Sequence, residues 1–241
     1  MKRGRGRPRK YPINTHIADI TVYLQEDNDN QFTASRYKEI MGLLEKGVFE
    51  LVKQEDIPQG IRIFNSRFVD ELRNQGTDKA FEKSRLVVQA YNDEEKSLVL
   101  TQSPTIQRVS QRLILCLAAI TIDGTADGSQ LYLRDISQAY VQSSTKLVRD
   151  FYIRAPAELS TALGVTKGTV VKIVRPLYGI PEAGNHWFKT YHTHHAKKLS
   201  MDQSTYDPCL LHVNDSTSFG VIGLQTDDTL ILANSPFADS E

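Results

Sequence analysis

Apolar residues first recur at a regular spacing from about Thr33, and that spacing is helical. Within ASRYKEIMGLLEKGVFELV, the apolar residues Ile40, Leu43, Leu44 and Val48 lie near the spacing of one helix face, as in an amphipathic helix. The segment ends in VFELV, whose β-branched and aromatic residues favour a short strand. We therefore predict a helix that leads directly into a strand.

Most of the remaining pattern predicts strands and turns. The segments IRIFNSRFVDELR and FEKSRLVVQAY indicate two strands joined by the turn-forming NQGTD, as in a hairpin. A buried helix is predicted around residues 106–120, followed by the loop DGTADGS and the strand QLYLRDI. Strand-rich sequence continues from FYIRAP to TVVKIV, and SFGVIGLQTDDTLILAN predicts two apolar strands that flank two acids.

One further helix follows a turn that contains Gly and Pro, in PLYGIPEAGNHWFKTYHTHHAKKLS. Trp187 and Tyr191 are four positions apart and therefore share one face of it. The same helix carries His192, His194 and His195, which could suggest zinc. No Cys or acidic ligands stand at matching spacing, so we predict a solvated helix face.

Composition sets the class of protein. With 241 residues and 40% apolar content, the chain can form one large domain or two small ones around a proper core. The longest apolar run, Leu113–Ile120, is far shorter than the ~20 residues of a membrane span, and no secretory signal precedes the fold. We expect an intracellular protein, with Cys116 and Cys209 as buried thiols.

The formal net charge of zero hides a basic tail. Residues 1–10 carry six basic side chains and no acid, which leaves 23 basic against 29 acidic residues in the rest of the chain. The sequence Arg5-Gly6-Arg7-Pro8 resembles an AT-hook, a segment that enters the minor groove of A·T-rich DNA. We predict a disordered tail over residues 1–15 and a linker over 16–33.

Three other interpretations of the tail remain open. It can be a generic basic tail or a nuclear localisation patch. Because no acid precedes Asp19, it can also be part of an organelle transit peptide, which would indicate the mitochondrion.

The candidate chemistry centres on the adjacent acids Asp227 and Asp228. Taken alone, the pair is more typical of a hairpin turn, where Asp is favoured. However, Asp135 stands at the end of the predicted strand QLYLRDI. A third acid on an adjacent strand would complete a site for two Mg²⁺ ions ~3.5–4 Å apart, which is the arrangement of nucleotidyl-transfer enzymes.

Four segments of the chain carry a family resemblance, in the order EKSRLVVQAY, RDISQAYVQ, KIVRPLYGIPEAGNHWFK and LQTDDTLIL. They resemble, in the same order, the segments KARLVAKGF, DVKTAFLNG, KLKKALYGLKQAPRAWY and the YVDD box of the reverse transcriptase of copia-type long-terminal-repeat retrotransposons. The resemblance spans residues 34–235. It implies an α+β fold over residues 34–241, with reverse-transcriptase-like fingers and a partial palm in which helices pack on an antiparallel sheet.

The resemblance also assigns roles to individual residues. The family's metal-binding and catalytic acids fall on Asp135, Asp227 and Asp228. Tyr140 matches the aromatic steric gate that stacks under the incoming sugar. Lys83 and Arg85, two apart on a strand and so on one face, fit the grip on the nucleotide triphosphate.

The LYG element and the helix after it match the family as well. Leu177, Tyr178, Gly179 and Trp187 correspond to residues that shape the palm wall around template and nucleotide, although Trp187 can equally be a core residue. The acid box departs from the family, because Gln225 and Thr226 replace its aromatic and aliphatic residues. The change of KQAPR to PEAGN removes two basic residues that would help to hold template or nucleotide.

The resemblance implies two Mg²⁺ ions, with Mn²⁺ as an alternative, and a primed RNA or DNA template with dNTP as substrates. It implies cytoplasmic particles or the nucleus as the compartment. Only 13 residues follow Asp228, so we expect a truncated copy without a thumb or ribonuclease H domain that does not copy RNA by itself. The alternatives are a non-catalytic DNA-binding relic and a metal-dependent nuclease, which would leave Tyr140 and LYG unexplained.

Overall fold

The structure is a computed structural model that describes residues 31–122, 128–215 and 217–241. The AT-hook-like tail predicted for residues 1–15, and the predicted linker up to residue 30, lie outside the described residues. None of the helices in the described ranges combines the length and the apolar character that a membrane span requires.

Helices and strands alternate along the chain, in a mixed α+β arrangement. The helices are α1 (Thr33–Glu45), α2 (Arg108–Thr121), α3 (Ala157–Leu163), α4 (Ala183–Thr193) and α5 (Ser235–Ser240). The strands are β1 (Phe49–Leu51), β2 (Ile63–Phe64), β3 (Ser66–Arg73), β4 (Phe81–Val88), β5 (Gln130–Asp135), β6 (Phe151–Arg154), β7 (Val170–Ile173), β8 (Asp202–Gln203), β9 (Leu210–Asn214), β10 (Phe219–Gln225) and β11 (Asp228–Ala233).

The chain divides into two compact units. Of the described residues, the first contains those from 31 to 90 together with Arg149–Val174, and the second contains those of Tyr91–Val148 together with Arg175–Glu241. The chain therefore leaves the first unit after β4 and returns to it for β6, α3 and β7.

In the first unit, the predicted amphipathic helix is confirmed as α1. Its apolar residues Ile40 and Leu43 are fully buried. The helix ends because Gly47 adopts a left-handed backbone (φ +63°), with hydrogen bonds from the Gly47 N–H to the Leu44 carbonyl (2.9 Å) and from the Val48 N–H to the Leu43 carbonyl (3.1 Å). This is the Schellman arrangement that satisfies the last carbonyls of a helix. It turns the chain directly into β1.

The first unit also contains a mixed four-stranded sheet and a long hairpin. The sheet has the order β1-β7-β6-β2, in which only the pair β2–β6 is parallel. The predicted hairpin is confirmed, since β3 and β4 pair antiparallel over eight residues from Ser66↔Val88 to Arg73↔Phe81. Ser84, Leu86 and Val88 point inward and are buried.

The second unit is built on an antiparallel five-stranded sheet of order β5-β11-β10-β9-β8. Ile106 and Ile114 touch Gly223 closely, on the sheet face that also carries Asp228, so α2 covers that face. The opposite face carries Thr229, which is hydrogen-bonded to Tyr191 of α4. Helices thus pack on both faces of one sheet.

Two predictions about burial are wrong in part. The helix predicted around 106–120 exists as α2, but it is buried along one face only: Val109 is 73% and Ile120 71% exposed. Cys116, on this helix, is exposed, whereas Cys209 is buried as predicted. An apolar run indicates a helix without indicating how much of it the neighbouring sheet covers.

The histidine prediction is also wrong in part. His195 lies in a π-helical turn (His194–Lys198) and is fully buried, with its ring edge against Tyr191. His192 is partly exposed and bonded to Gln203 at 2.7 Å. Across the described ranges, His, Cys, Asp and Glu form no cluster of three that could hold a metal ion.

Candidate active site

The three acids singled out in the sequence come from neighbouring strands. β5 and β11 pair antiparallel, and their register places Asp135 directly opposite Asp228. The Ile136 N–H donates to the Asp227 carbonyl at 3.0 Å, which identifies Asp135 and Asp228 as a non-hydrogen-bonded pair. In such pairs the Cα atoms are only ~4.5 Å apart and both side chains stand on the same sheet face.

Asp227 joins the pair through the hairpin turn. Gln225 pairs with Asp228, so Thr226 and Asp227 form a two-residue connection between β10 and β11. The hairpin interpretation of the acids is therefore correct, and it is compatible with a shared site, because the turn carries Asp227 beside Asp228 and Asp135. Thr226 has φ +56°, which is an unusual backbone conformation for a β-branched residue.

The electrostatics of the site reflect three like charges. Partial loss of hydration raises the pKa of Asp228, and the negative charges of Asp227 and Asp135 raise it further. Burial raises the pKa of Tyr140, to which the charge of Asp227 adds. The charge of Asp227 thus acts on both Asp228 and Tyr140.

The donor set suits a hard divalent cation. Carboxylate oxygens are the ligands that Mg²⁺ and Mn²⁺ prefer in proteins. Among the residues that the structure describes, however, no three acids, histidines or cysteines are arranged so that they could hold a metal ion. The acids therefore fit a cation by the chemistry of their oxygen donors alone.

Tyr140 begins a short 3₁₀ turn (Tyr140–Gln142) shortly after β5 ends. Its ring lies 5.0 Å from that of Tyr178, centroid to centroid, with the planes tilted by 50°. The Tyr140 carbonyl accepts a hydrogen bond from the Ser143 hydroxyl at 2.6 Å. The sequence-predicted gate residue and the tyrosine of the LYG element are therefore direct neighbours.

Lys83 and Arg85 belong to the first unit, whereas the three acids belong to the second. Both basic residues lie on the face of β4 that points away from the buried Ser84 and Leu86. Glu71 stands opposite Lys83 in the register and lies 3.6 Å from the Arg85 guanidinium.

Two further basic residues on this face were missed by the sequence reasoning. Arg67 and Arg73 are separated from Glu71 by even numbers of residues along β3, so the three side chains lie on the same face of the strand. Glu71 pairs with Lys83, so this is also the face of Lys83 and Arg85 on β4. Period-two spacing along β3 could have indicated Arg67 and Arg73, but only the register with β4 shows that all four basic side chains meet on one face.

The acid hairpin is held by contacts from two helices, and the sequence reasoning did not foresee them. From α4, the Trp187 indole N–H donates to the Thr226 carbonyl at 2.6 Å, and the Tyr191 hydroxyl bonds the Thr229 hydroxyl at 2.8 Å. From α2, the Gln111 side-chain amide donates to Gln225 at 2.9 Å. Trp187 is a core residue, as one of its two interpretations held.

The nucleic-acid-binding residues predicted in the tail, Arg5, Gly6, Arg7 and Pro8, lie outside the described residues. A family model described as reverse transcriptase (RNA-dependent DNA polymerase) matches residues 46–237. The matched segment includes the three acids, Tyr140, and both basic residues of β4. A search of curated proteins and a search of solved structures each found no match.

Proposed function

The chain belongs to the reverse transcriptase family, and we propose that Asp135, Asp227 and Asp228 form the nucleotidyl-transfer site of an RNA-directed DNA polymerase. The observation that carries this proposal is the register that pairs Asp135 with Asp228 beside the Asp227 turn. Family membership implies a primed nucleic-acid template and dNTP as substrates. The quoted motifs make a copia-type retrotransposon the source that we propose.

The three carboxylates are the proposed holders of two Mg²⁺ ions, or of Mn²⁺ in their place. When bound, such ions activate an attacking hydroxyl and stabilise the leaving pyrophosphate. The contribution of the chain is to hold three negative charges on one sheet face. The raised pKa of Asp228 supports this role, since repulsion among the acids disappears when a cation neutralises them.

Tyr140 is the proposed steric gate for the incoming sugar. Its neighbour Tyr178 supports the ring from one side, which fixes the surface on which a sugar can stack. A tyrosine phenol is neutral at physiological pH, and burial and the charge of Asp227 raise the pKa of Tyr140 further. A neutral ring beside the acids avoids a fourth negative charge.

We assign the first unit to the fingers and the second to the palm. Lys83 and Arg85 are the proposed ligands of the triphosphate, with Lys83 as a point charge and Arg85 as a forked donor. Their common face on β4, together with Arg67 and Arg73, supports this assignment. Glu71 is the competing anion that a triphosphate must displace from Arg85.

Primer extension on poly(rA)·oligo(dT) with Mg²⁺ tests the proposal. Contrary to the truncated copy without activity of its own that the sequence led us to expect, the proposed site requires that the full chain extend the primer and that Asp228→Asn fall to the level seen without protein. Asp202→Asn, which removes the same charge from an exposed position on β8, is the matched control and should extend like the natural sequence. Equal extension by the natural chain and Asp228→Asn would overturn the proposal.

A second function is proposed for the tail, on the Arg5-Gly6-Arg7-Pro8 sequence alone. Two arginines in a narrow minor groove, separated by a glycine that allows close approach, would bind A·T-rich duplex DNA. This binding does not depend on the acids, so it is also the activity expected of a non-catalytic relic.

A further inference from the structure

The turn that carries the acids has a strained backbone and needs external support. Thr226, the residue before Asp227, has φ +56°. A β-branched residue is disfavoured in this left-handed region because its side chain crowds the backbone, so surrounding contacts must maintain the conformation. Gln225 on one side and Asp228 on the other are already paired in the sheet. The unsupported part is the peptide between Thr226 and Asp227.

Trp187 contacts that peptide. Its indole N–H donates to the Thr226 carbonyl at 2.6 Å, and this carbonyl belongs to the peptide group that links Thr226 to Asp227. The peptide group is planar, so a fixed carbonyl direction also fixes the direction in which the Asp227 backbone departs. The orientation of the Asp227 carboxylate depends on this plane.

Tyr191, one helical turn further along α4, supports the other side of the acids. The two rings stack with centroids 4.9 Å apart and planes 19° apart. The Tyr191 hydroxyl bonds the hydroxyl of Thr229, the buried residue next to Asp228. One aromatic stack on one helix therefore contacts the chain directly before Asp227 and directly after Asp228.

Packing alone does not account for this arrangement. The ring of Trp187 is buried, and an aromatic residue without an N–H would fill the same space. A buried indole N–H requires some acceptor, but many backbone carbonyls line a core. Here the acceptor belongs to the strained peptide of the acid turn.

We propose that Trp187 is a positioning residue, which orients Asp227 for ion binding through the Thr226 carbonyl. The proposal rests on the proposed function, because it assumes that the three acids bind divalent cations. Trp187 would act on Asp227 only through its hydrogen bond to the turn peptide, without contacting the substrate.

Binding of Mn²⁺, measured from the free-ion signal in electron paramagnetic resonance, tests the proposal without relying on catalysis. Trp187→Phe keeps an aromatic ring and removes the N–H. We expect it to weaken Mn²⁺ binding by about tenfold, the size typical of residues that orient metal ligands. Primer extension should show the same loss as a higher requirement for Mn²⁺, and excess Mn²⁺ should restore much of the rate.

Phe237→Leu is the matched control. Phe237 is buried in the same unit but lies against Gly220, at the end of β10 far from the turn. We expect this variant to melt at a lower temperature with unchanged Mn²⁺ affinity. If Trp187→Phe binds Mn²⁺ like the natural chain, or if Phe237→Leu loses as much affinity, Trp187 has only a structural role.

The natural chain provides a test that needs no substitution at Trp187, which is the single tryptophan of the sequence. We expect Mg²⁺ to change its fluorescence emission, and Asp228→Asn to abolish the change. If a chain that binds Mn²⁺ shows no change in emission on addition of Mg²⁺, the positioning role alone is contradicted. Equal Mn²⁺ binding by the natural chain and Asp228→Asn would overturn the proposed function, and the positioning role with it.

Discussion

Asp228 should destabilise the protein in the absence of divalent cations. Its pKa in the folded chain is raised by lost hydration and by Asp227 and Asp135, so the folded state holds this proton to a higher pH than the unfolded state. The free energy of unfolding should therefore fall as the pH rises through the folded value. At neutral pH, where Asp228 is ionised, the full penalty applies.

Asp228→Asn should accordingly raise the melting temperature at pH 7 without Mg²⁺. Because Asp228 is exposed and solvent screens its charge, we expect a gain of only a few tenths of a kcal/mol, and a smaller gain at pH 4. Asp202→Asn should leave the melting temperature unchanged. A lower melting temperature for Asp228→Asn at both pH values would show that Asp228 is not under repulsion.

Mg²⁺ should reverse this order. An ion that binds only the folded state adds about 2.7 kcal/mol at a hundred times its dissociation constant. The natural chain should gain this stabilisation, and Asp228→Asn should gain little. Asp228 thus lowers stability when Mg²⁺ is absent and is required for the stabilisation that bound Mg²⁺ provides.

At the scale of elements, helix α2 depends on an acid from a distant part of the chain. Gln107 precedes the helix without a side-chain cap of its own. Instead, the buried Asp207 accepts hydrogen bonds from the Gln107 N–H (2.8 Å) and the Ser110 hydroxyl (2.6 Å). Its second oxygen accepts from the Cys209 N–H at 2.9 Å. The negative charge of this carboxylate also interacts favourably with the positive end of the helix dipole at the N-terminus.

Asp207→Ala should cost about 2–4 kcal/mol of unfolding free energy, because it leaves several buried donors without an acceptor. Denaturation by urea would measure the loss. Asp215→Ala is the control: Asp215 also accepts bonds from Thr217 and Ser218, but it is exposed, so water can replace it and the loss should be much smaller than for Asp207→Ala. Equal losses would argue against the cap.

The elements themselves could largely be predicted from the sequence, since their causes are local. The spacing of Ile40 and Leu43, and the two apolar strands around Asp227, require only neighbouring residues to be recognised. The Asp207 cap and the exposed face of α2 could not be predicted. They depend on which distant segments meet, and no local periodicity encodes that.

The same division applies to the site. Asp135, Asp227 and Asp228 could be selected because acids at strand ends are unusual beside apolar runs. The register that opposes Asp135 to Asp228 could not be predicted, because a shift by one residue would move every side chain to the other face. Nor could the contact from Trp187 to Thr226, which joins a helix to a turn 39 residues away.

For the whole molecule, the uneven distribution of charge determines which part of the chain should bind DNA. The first ten residues carry six positive charges, and the remainder carries six more acids than bases. The negative net charge of the body should therefore contribute little to non-specific binding of duplex DNA, while the tail attracts it. Removal of residues 1–10 should weaken binding to an A·T-rich duplex by at least about tenfold at physiological salt, as measured by gel shift.

The form of the arginine side chains separates an AT-hook from a general basic tail. Arg5→Lys with Arg7→Lys keeps the charge and removes the flat guanidinium groups that suit a narrow minor groove. We expect this variant to lose its preference for A·T over G·C duplex and to keep binding that weakens with salt. The slope of log affinity against log salt concentration cannot exceed about 5 in magnitude for six phosphate contacts. If the lysine variant still prefers A·T sequences, the contacts are electrostatic only. If the tail deletion binds DNA as well as the full chain, the DNA-binding surface lies in the body, where Arg67, Arg73, Lys83 and Arg85 are the next residues to replace.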